Sequence, residues 1–200
     1  MTPNWRQTLT DYIRTQALPV DKFSHQPRLY ALACRLAGEQ PFDDDVLFAA
    51  CWLHDLGVFI GHRPTDPAAL GQWDNVAYIL GRAPALLAQW AFPAEKIPAV
   101  VAAIAQHHAK ARPADLTARL LHDADVLELL GATGLLRTIS KVGRDTRYPR
   151  FGDVLPVLEQ ALALEADLLL ESSRALARPR LALLRQFLAA AQEESQGIDW

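Results

Sequence analysis

Sulfur is scarce in this sequence, and so is uninterrupted apolar chain. The two cysteines, Cys34 and Cys51, sit in apolar helical patterns at a spacing that matches no zinc motif, which excludes a disulfide scaffold and a zinc finger. The longest apolar run, Val46 to Leu53, is far too short to span a bilayer. No alternation of apolar and polar residues extends beyond a few positions, so a β-sandwich or barrel is excluded as well. There is no repeat and no low-complexity tract. Nor is there a strong excess of one charge: the formal net charge is −3, which argues against a nucleic acid polymer held through its phosphates. The opening residues Met1 to Arg6 lack the charged-then-apolar build of a signal peptide, and the expectation is a soluble, cytoplasmic protein with no membrane partner.

What is present is the composition of a globular chain: 200 residues, 50% hydrophobic and 22% charged. A chain of this length buries enough surface to fold without a metal or disulfide, so any metal ligands in it serve chemistry rather than folding. The hydrophobic spacing is helical nearly throughout, with breaks at Pro, Gly and Asp. It predicts a single all-α domain over residues 1–200, with a core over about 20–140 and helices over about 153–194 packing on it. Ser24 and Gly38 bound one helix, and Asp43-Asp44-Asp45 opens another that is apolar on most sides and belongs in the middle of the fold. Asp66-Pro67 opens a segment reaching about Gly81. Pro84, Pro93 and Pro98 divide the next stretch, which ends near His107 and His108. A helix then runs from about Leu116 to Leu130. Two amphipathic helices are expected at the end, about Val154 to Ala177 and Arg180 to Glu194.

Six histidines occur: His25, His54, His62, His107, His108 and His122. His54-Asp55 ends the most apolar helix, and burying an imidazole beside a carboxylate is costly unless each has a partner. A divalent cation would satisfy both; so would a polar helix end closing on the Gly57 turn. His25 opens another apolar helix, and Asp125 lies among aliphatic residues inside a third. Together these form a mixed nitrogen and oxygen donor set that suits Mn, Fe, Ni, Mg or Zn and leaves positions open for water and substrate.

The order His25 … His54-Asp55 … Asp125 resembles the signature of the HD superfamily of metal-dependent phosphohydrolases. His25-x-x-Arg28-Leu29 is similar to the superfamily's first helix pattern, and Ala49-x-x-Leu53-His54-Asp55 to its second. Ile104-x-x-His107 and the stretch Asp123-Ala124-Asp125 to Gly134 resemble a branch of small single-domain bacterial members. The likeness covers about residues 20–194. It implies an all-α HD-type helical bundle and one divalent metal ion held by His25, His54, Asp55 and Asp125. It also implies hydrolysis of a phosphate ester or anhydride, in a nucleotide above all, by metal-activated water.

In that reading Asp55 takes the proton of the attacking water, and His107 reaches the substrate phosphate or the leaving group. Arg28, one turn from His25, meets phosphate charge. Asp123 competes with Asp125 for the last ligand position. The two point about 200° apart on a helix, so one metal takes only one of them, and the other is left to orient a ligand histidine. The chain also departs from the pattern. It has no glutamate shortly after the dipeptide, and it carries Thr117 and Val126 where the branch usually has Glu and Arg. These departures keep alternatives open: a catalytically weakened nucleotide-binding protein and, further off, a dinuclear-iron oxygenase. A homodimer is compatible with the apolar C-terminal helices.

Overall fold

The computed structural model describes residues 4–108 and 110–198. Among these residues there is no β-strand, and the chain is a succession of α-helices and short 3-10 turns. No helix of the described residues is long and apolar enough to cross a membrane. The chain divides into two compact units, Met1–His122 and Asp123–Trp200.

In the first unit, α1 (Trp5–Gln16), α2 (His25–Ala37) and α3 (Asp44–Leu53) are followed by four shorter elements. These are α4 (Pro67–Gly71), α5 (Asn75–Leu80), α6 (Ala83–Gln89) and α7 (Ile97–Ala105). As its sequence predicts, α3 is central: every residue from Ala49 to Leu53 is buried, and the helix packs against α1, α2 and α7. Its N-terminus is anchored by charge. The Asp43 carboxylate accepts from the amides of Asp45 and Val46, each at 3.1 Å, which satisfies two of the donors a helix start leaves open. Arg6 of α1 reaches Asp44 at 2.7 Å and Asp45 at 2.6 Å, while Lys96 reaches Asp43 and Asp45. The Arg6 guanidinium lies over the rings of Trp5 and Phe48. These contacts tie the start of α3 to α1 and fix the direction in which its far end, bearing His54, points.

The segment from Asp66 to about Gly81 consists of two helices. Asp66 caps α4 through the amide of Ala69, and Asp74 caps α5 through the amide of Ala77, both at 2.8 Å. A second capping carboxylate restarts the chain where the periodicity alone reads through.

Helix α8 (Leu116–Glu128) contains the division between the two units. The second unit continues with α9 (Gly131–Ile139), α10 (Leu155–Ala161) and α11 (Glu171–Glu194). The break expected between Ala177 and Arg180 lies elsewhere. Helix α11 runs through Pro179, with Ser173, Ala177, Leu181 and Leu184 buried on both sides of it. The interruption falls at Leu168–Leu170, where the Asp123 carboxylate accepts the amides of Leu169 at 3.0 Å and Leu170 at 2.7 Å. A proline inside a helix costs about 3 kcal/mol. Here burial of one continuous apolar face offsets that cost, while a buried carboxylate fixes the start of the helix. Gly131 has φ +66°, and a Cβ there would lie 2.9 Å from Cβ of Arg180, so this corner of α9 meets α11 at a distance only glycine allows.

Candidate metal centre

Two helix ends bring the first three candidate residues together. His25 is the first residue of α2, carried in by the 3-10 turn Val20–Ser24, and His54 follows the last residue of α3. Asp55 leaves the helical conformation and starts the 3-10 turn Leu56–Val58. His25 is 4% exposed and His54 fully buried, while the Asp55 side chain keeps 21% of its surface in solvent. The Nε2 atoms of His25 and His54 stand 3.3 Å apart, and the Asp55 carboxylate lies 3.6 Å from each of them.

The protonation of His54 follows from its other nitrogen. Nδ1 donates to the main-chain carbonyl of Cys51 at 3.0 Å; a carbonyl only accepts, so this nitrogen carries a proton, and when the ring is neutral Nε2 presents its lone pair. That lone pair faces a second imidazole and a carboxylate. At 3.6 Å the carboxylate is beyond hydrogen-bonding distance of either ring. A proton between the rings would serve one pair of donors only. Donors bound about 2.1 Å from one centre stand roughly 3.0–3.4 Å apart, close to the separations found here. The donor set therefore fits a divalent cation, and Asp55 forms its open side.

His107 lies in the same cluster. It follows the end of α7, is 6% exposed, and packs edge-to-face on His54 with ring centroids 5.1 Å apart. Its Nδ1 donates to the carbonyl of Ile104 at 2.6 Å, which leaves Nε2 as the nitrogen turned toward the cluster.

Arg28 is exposed and donates to Ser24 Oγ at 2.8 Å, an interaction that holds the guanidinium along the first turn of α2. Asp125 is half-buried on α8. Asp123 is fully buried, and both its oxygens accept main-chain amides ahead of α11. Its sequence suggests a group that orients a ligand histidine; the structure gives it the work of a helix cap. With about 200° between them, Asp125 points away from that cap. His62 bridges Gln16 Oε1 at 2.8 Å and the Tyr78 hydroxyl at 2.7 Å, and it is half-buried. His122 is buried and His108 exposed.

Comparison with known proteins matches the HD domain family over residues 23–130. Among solved structures, the chain resembles a Lactobacillus plantarum protein at 22% identity and TM-score 0.72, covering 98% of this chain and 99% of that one. It also resembles Bacillus subtilis YpgQ in complex with ADP, at 18% identity and TM-score 0.71, covering 97% and 100%. An HD-superfamily hydrolase from Bacillus thuringiensis aligns at 18% identity and TM-score 0.68, covering 96% and 97%. No curated protein matches. The family match spans more than half of the chain and contains both histidines and both aspartates of the signature. This all-α chain belongs to the HD-domain family, whose members bind divalent metals.

Proposed function

We propose that the protein is a metal-dependent phosphohydrolase that acts on a small phosphorylated substrate, a nucleotide above all. The observation that carries this reading is the His54 lone pair, fixed by Cys51 and aimed at His25 Nε2 and the Asp55 carboxylate in a nearly closed site. His25, His54, Asp55 and, from α8, Asp125 would hold one divalent cation of the Mn, Fe, Ni, Mg or Zn class. When bound, that cation supplies Lewis acidity toward a phosphoryl oxygen and an acidified water.

The chain's own residues do the rest. Asp55, the ligand with an open face, accepts the proton of the attacking water. His107, with Nδ1 tied to Ile104, would meet the phosphate or the leaving group through Nε2 when that nitrogen carries a proton. Arg28 stands at the exposed end of α2, where a forked guanidinium suits phosphate. The complex of YpgQ with ADP supports a nucleotide as substrate class.

Thr117 and Val126, which stand where the resembling branch has Glu and Arg, are both buried. They favour a second reading, in which a nucleotide binds without turnover.

The test is hydrolysis of a panel of nucleoside mono-, di- and triphosphates with added metal, by wild type and His54→Ala. The first reading expects chelator-sensitive turnover that the variant loses. Undiminished turnover in His54→Ala contradicts it, and saturable binding without product selects the second reading.

A further inference from the structure

The Asp55 carboxylate is aimed by a turn, and that turn is held from outside. Asp55 opens the 3-10 turn Leu56–Val58, closed by the bond from the Val58 amide to the Asp55 carbonyl at 2.9 Å. Two contacts grip its middle, one from the short segment between α4 and α5 and one from the first residue of α5. Trp73 Nε1 donates to the Gly57 carbonyl at 2.8 Å. On the other side of the same residue, a Cβ on Gly57 would lie 2.7 Å from the carbonyl oxygen of Asn75, so the turn is pressed on the first residue of α5 as closely as a glycine permits. The gripping segment is itself braced. The Trp73 ring packs on Tyr78 with centroids 5.2 Å apart, and Tyr78 is hydrogen-bonded to His62, which reaches Gln16 of α1. Asp74 caps α5 and so fixes the chain between Trp73 and Asn75.

We infer that Trp73 is a positioning residue for the metal site: its indole N–H, bonded to the Gly57 carbonyl, sets the turn that orients the Asp55 carboxylate toward His25 and His54. Outer partners of metal ligands are commonly worth about 10–100-fold in metal affinity. Trp73 acts one step further out, through the backbone, and about tenfold is expected. The inference rests on the metal reading above, but the clamp itself is a property of the metal-free chain, and the two are tested separately.

The experiment compares wild type, Trp73→Phe, Gly57→Ala and, as a control, Trp90→Phe, a tryptophan that packs on Tyr12 instead. Two quantities are read: Mn(II) affinity by calorimetry, and hydrogen exchange of the Val58 amide in metal-free protein. Trp73→Phe keeps an aromatic ring and deletes the donor; Gly57→Ala pushes the turn off α5 from the other side. Both are expected to bind Mn(II) about tenfold more weakly and to lose Val58 protection, while Trp90→Phe changes neither, whatever its melting temperature. Val58 protection equal to wild type in Trp73→Phe overturns the clamp, as does unchanged Mn(II) affinity in that variant when wild type binds the ion. A wild type that binds none of Mn(II), Fe(II), Ni(II) and Zn(II) overturns the metal reading instead, and the exchange measurement then still decides the clamp.

Discussion

The main-chain carbonyl of Cys51 takes the Nδ1 proton of His54 at 3.0 Å, and this one bond determines what the opposite nitrogen can do. In the neutral ring it makes the nitrogen that faces His25 and Asp55 a donor of electrons rather than of a proton. Nitrogen-15 spectra of metal-free protein at neutral pH should report His54 protonated at Nδ1 and bare at Nε2. A ring protonated at Nε2 would contradict the arrangement.

Asp123 and Asp125 should separate cleanly by experiment. Asp123→Ala strands two main-chain amides, Leu169 and Leu170, of which Leu170 is buried, and removes the start of α11. Losing bonds to a charged acceptor costs about 2–3 kcal/mol, or roughly 4–12 °C of melting temperature in a chain of this size. Metal uptake is retained in that variant. Asp125→Ala does the reverse, losing metal while the metal-free protein melts close to wild type. Calorimetric melting together with metal content distinguishes the two, and a metal-free Asp123→Ala would reverse the assignment.

The contrast between these two aspartates also marks how far the sequence can be read. Helical geometry separates their directions, and His25, His54-Asp55 and Asp125 are legible as a set because carboxylates and imidazoles are out of place in apolar helices. The central position of α3 is legible for a related reason, since a helix with almost no polar face has nowhere else to go. The employment of Asp123 is not legible, because the amides it caps lie 46 and 47 residues further along the chain. For the same reason the last helix pair is misplaced when the break is put between Ala177 and Arg180: only the fold supplies the hold on residues 168–170 and the apolar face that carries α11 past Pro179. The hold of Trp73 on Gly57 is likewise a tertiary contact that leaves no periodic trace.

His62 gives the first unit a dependence on mild acid. Burial, and after it the positive charge of Arg82, holds the imidazole below the ordinary histidine value. The unfolded chain therefore takes up the proton first as pH falls. The contribution of His62 to stability is fully present above the unfolded value of about 6.5 and is lost as pH falls through the lower folded value. Denaturant melts at pH 7 and pH 5 should show wild type losing more stability than His62→Gln, whose side chain does not titrate. Equal losses in the two proteins would remove His62 as the source.

The measurement that bears most directly on the metal centre is the metal content per chain of purified protein, by elemental mass spectrometry, with His54→Ala beside wild type. One equivalent of a divalent transition metal in wild type, lost in the variant, is the result that the arrangement of His25, His54 and Asp55 predicts. A wild-type protein that takes up no metal after incubation with Mn, Fe, Ni and Zn would contradict it, and so would a His54→Ala variant that keeps its metal.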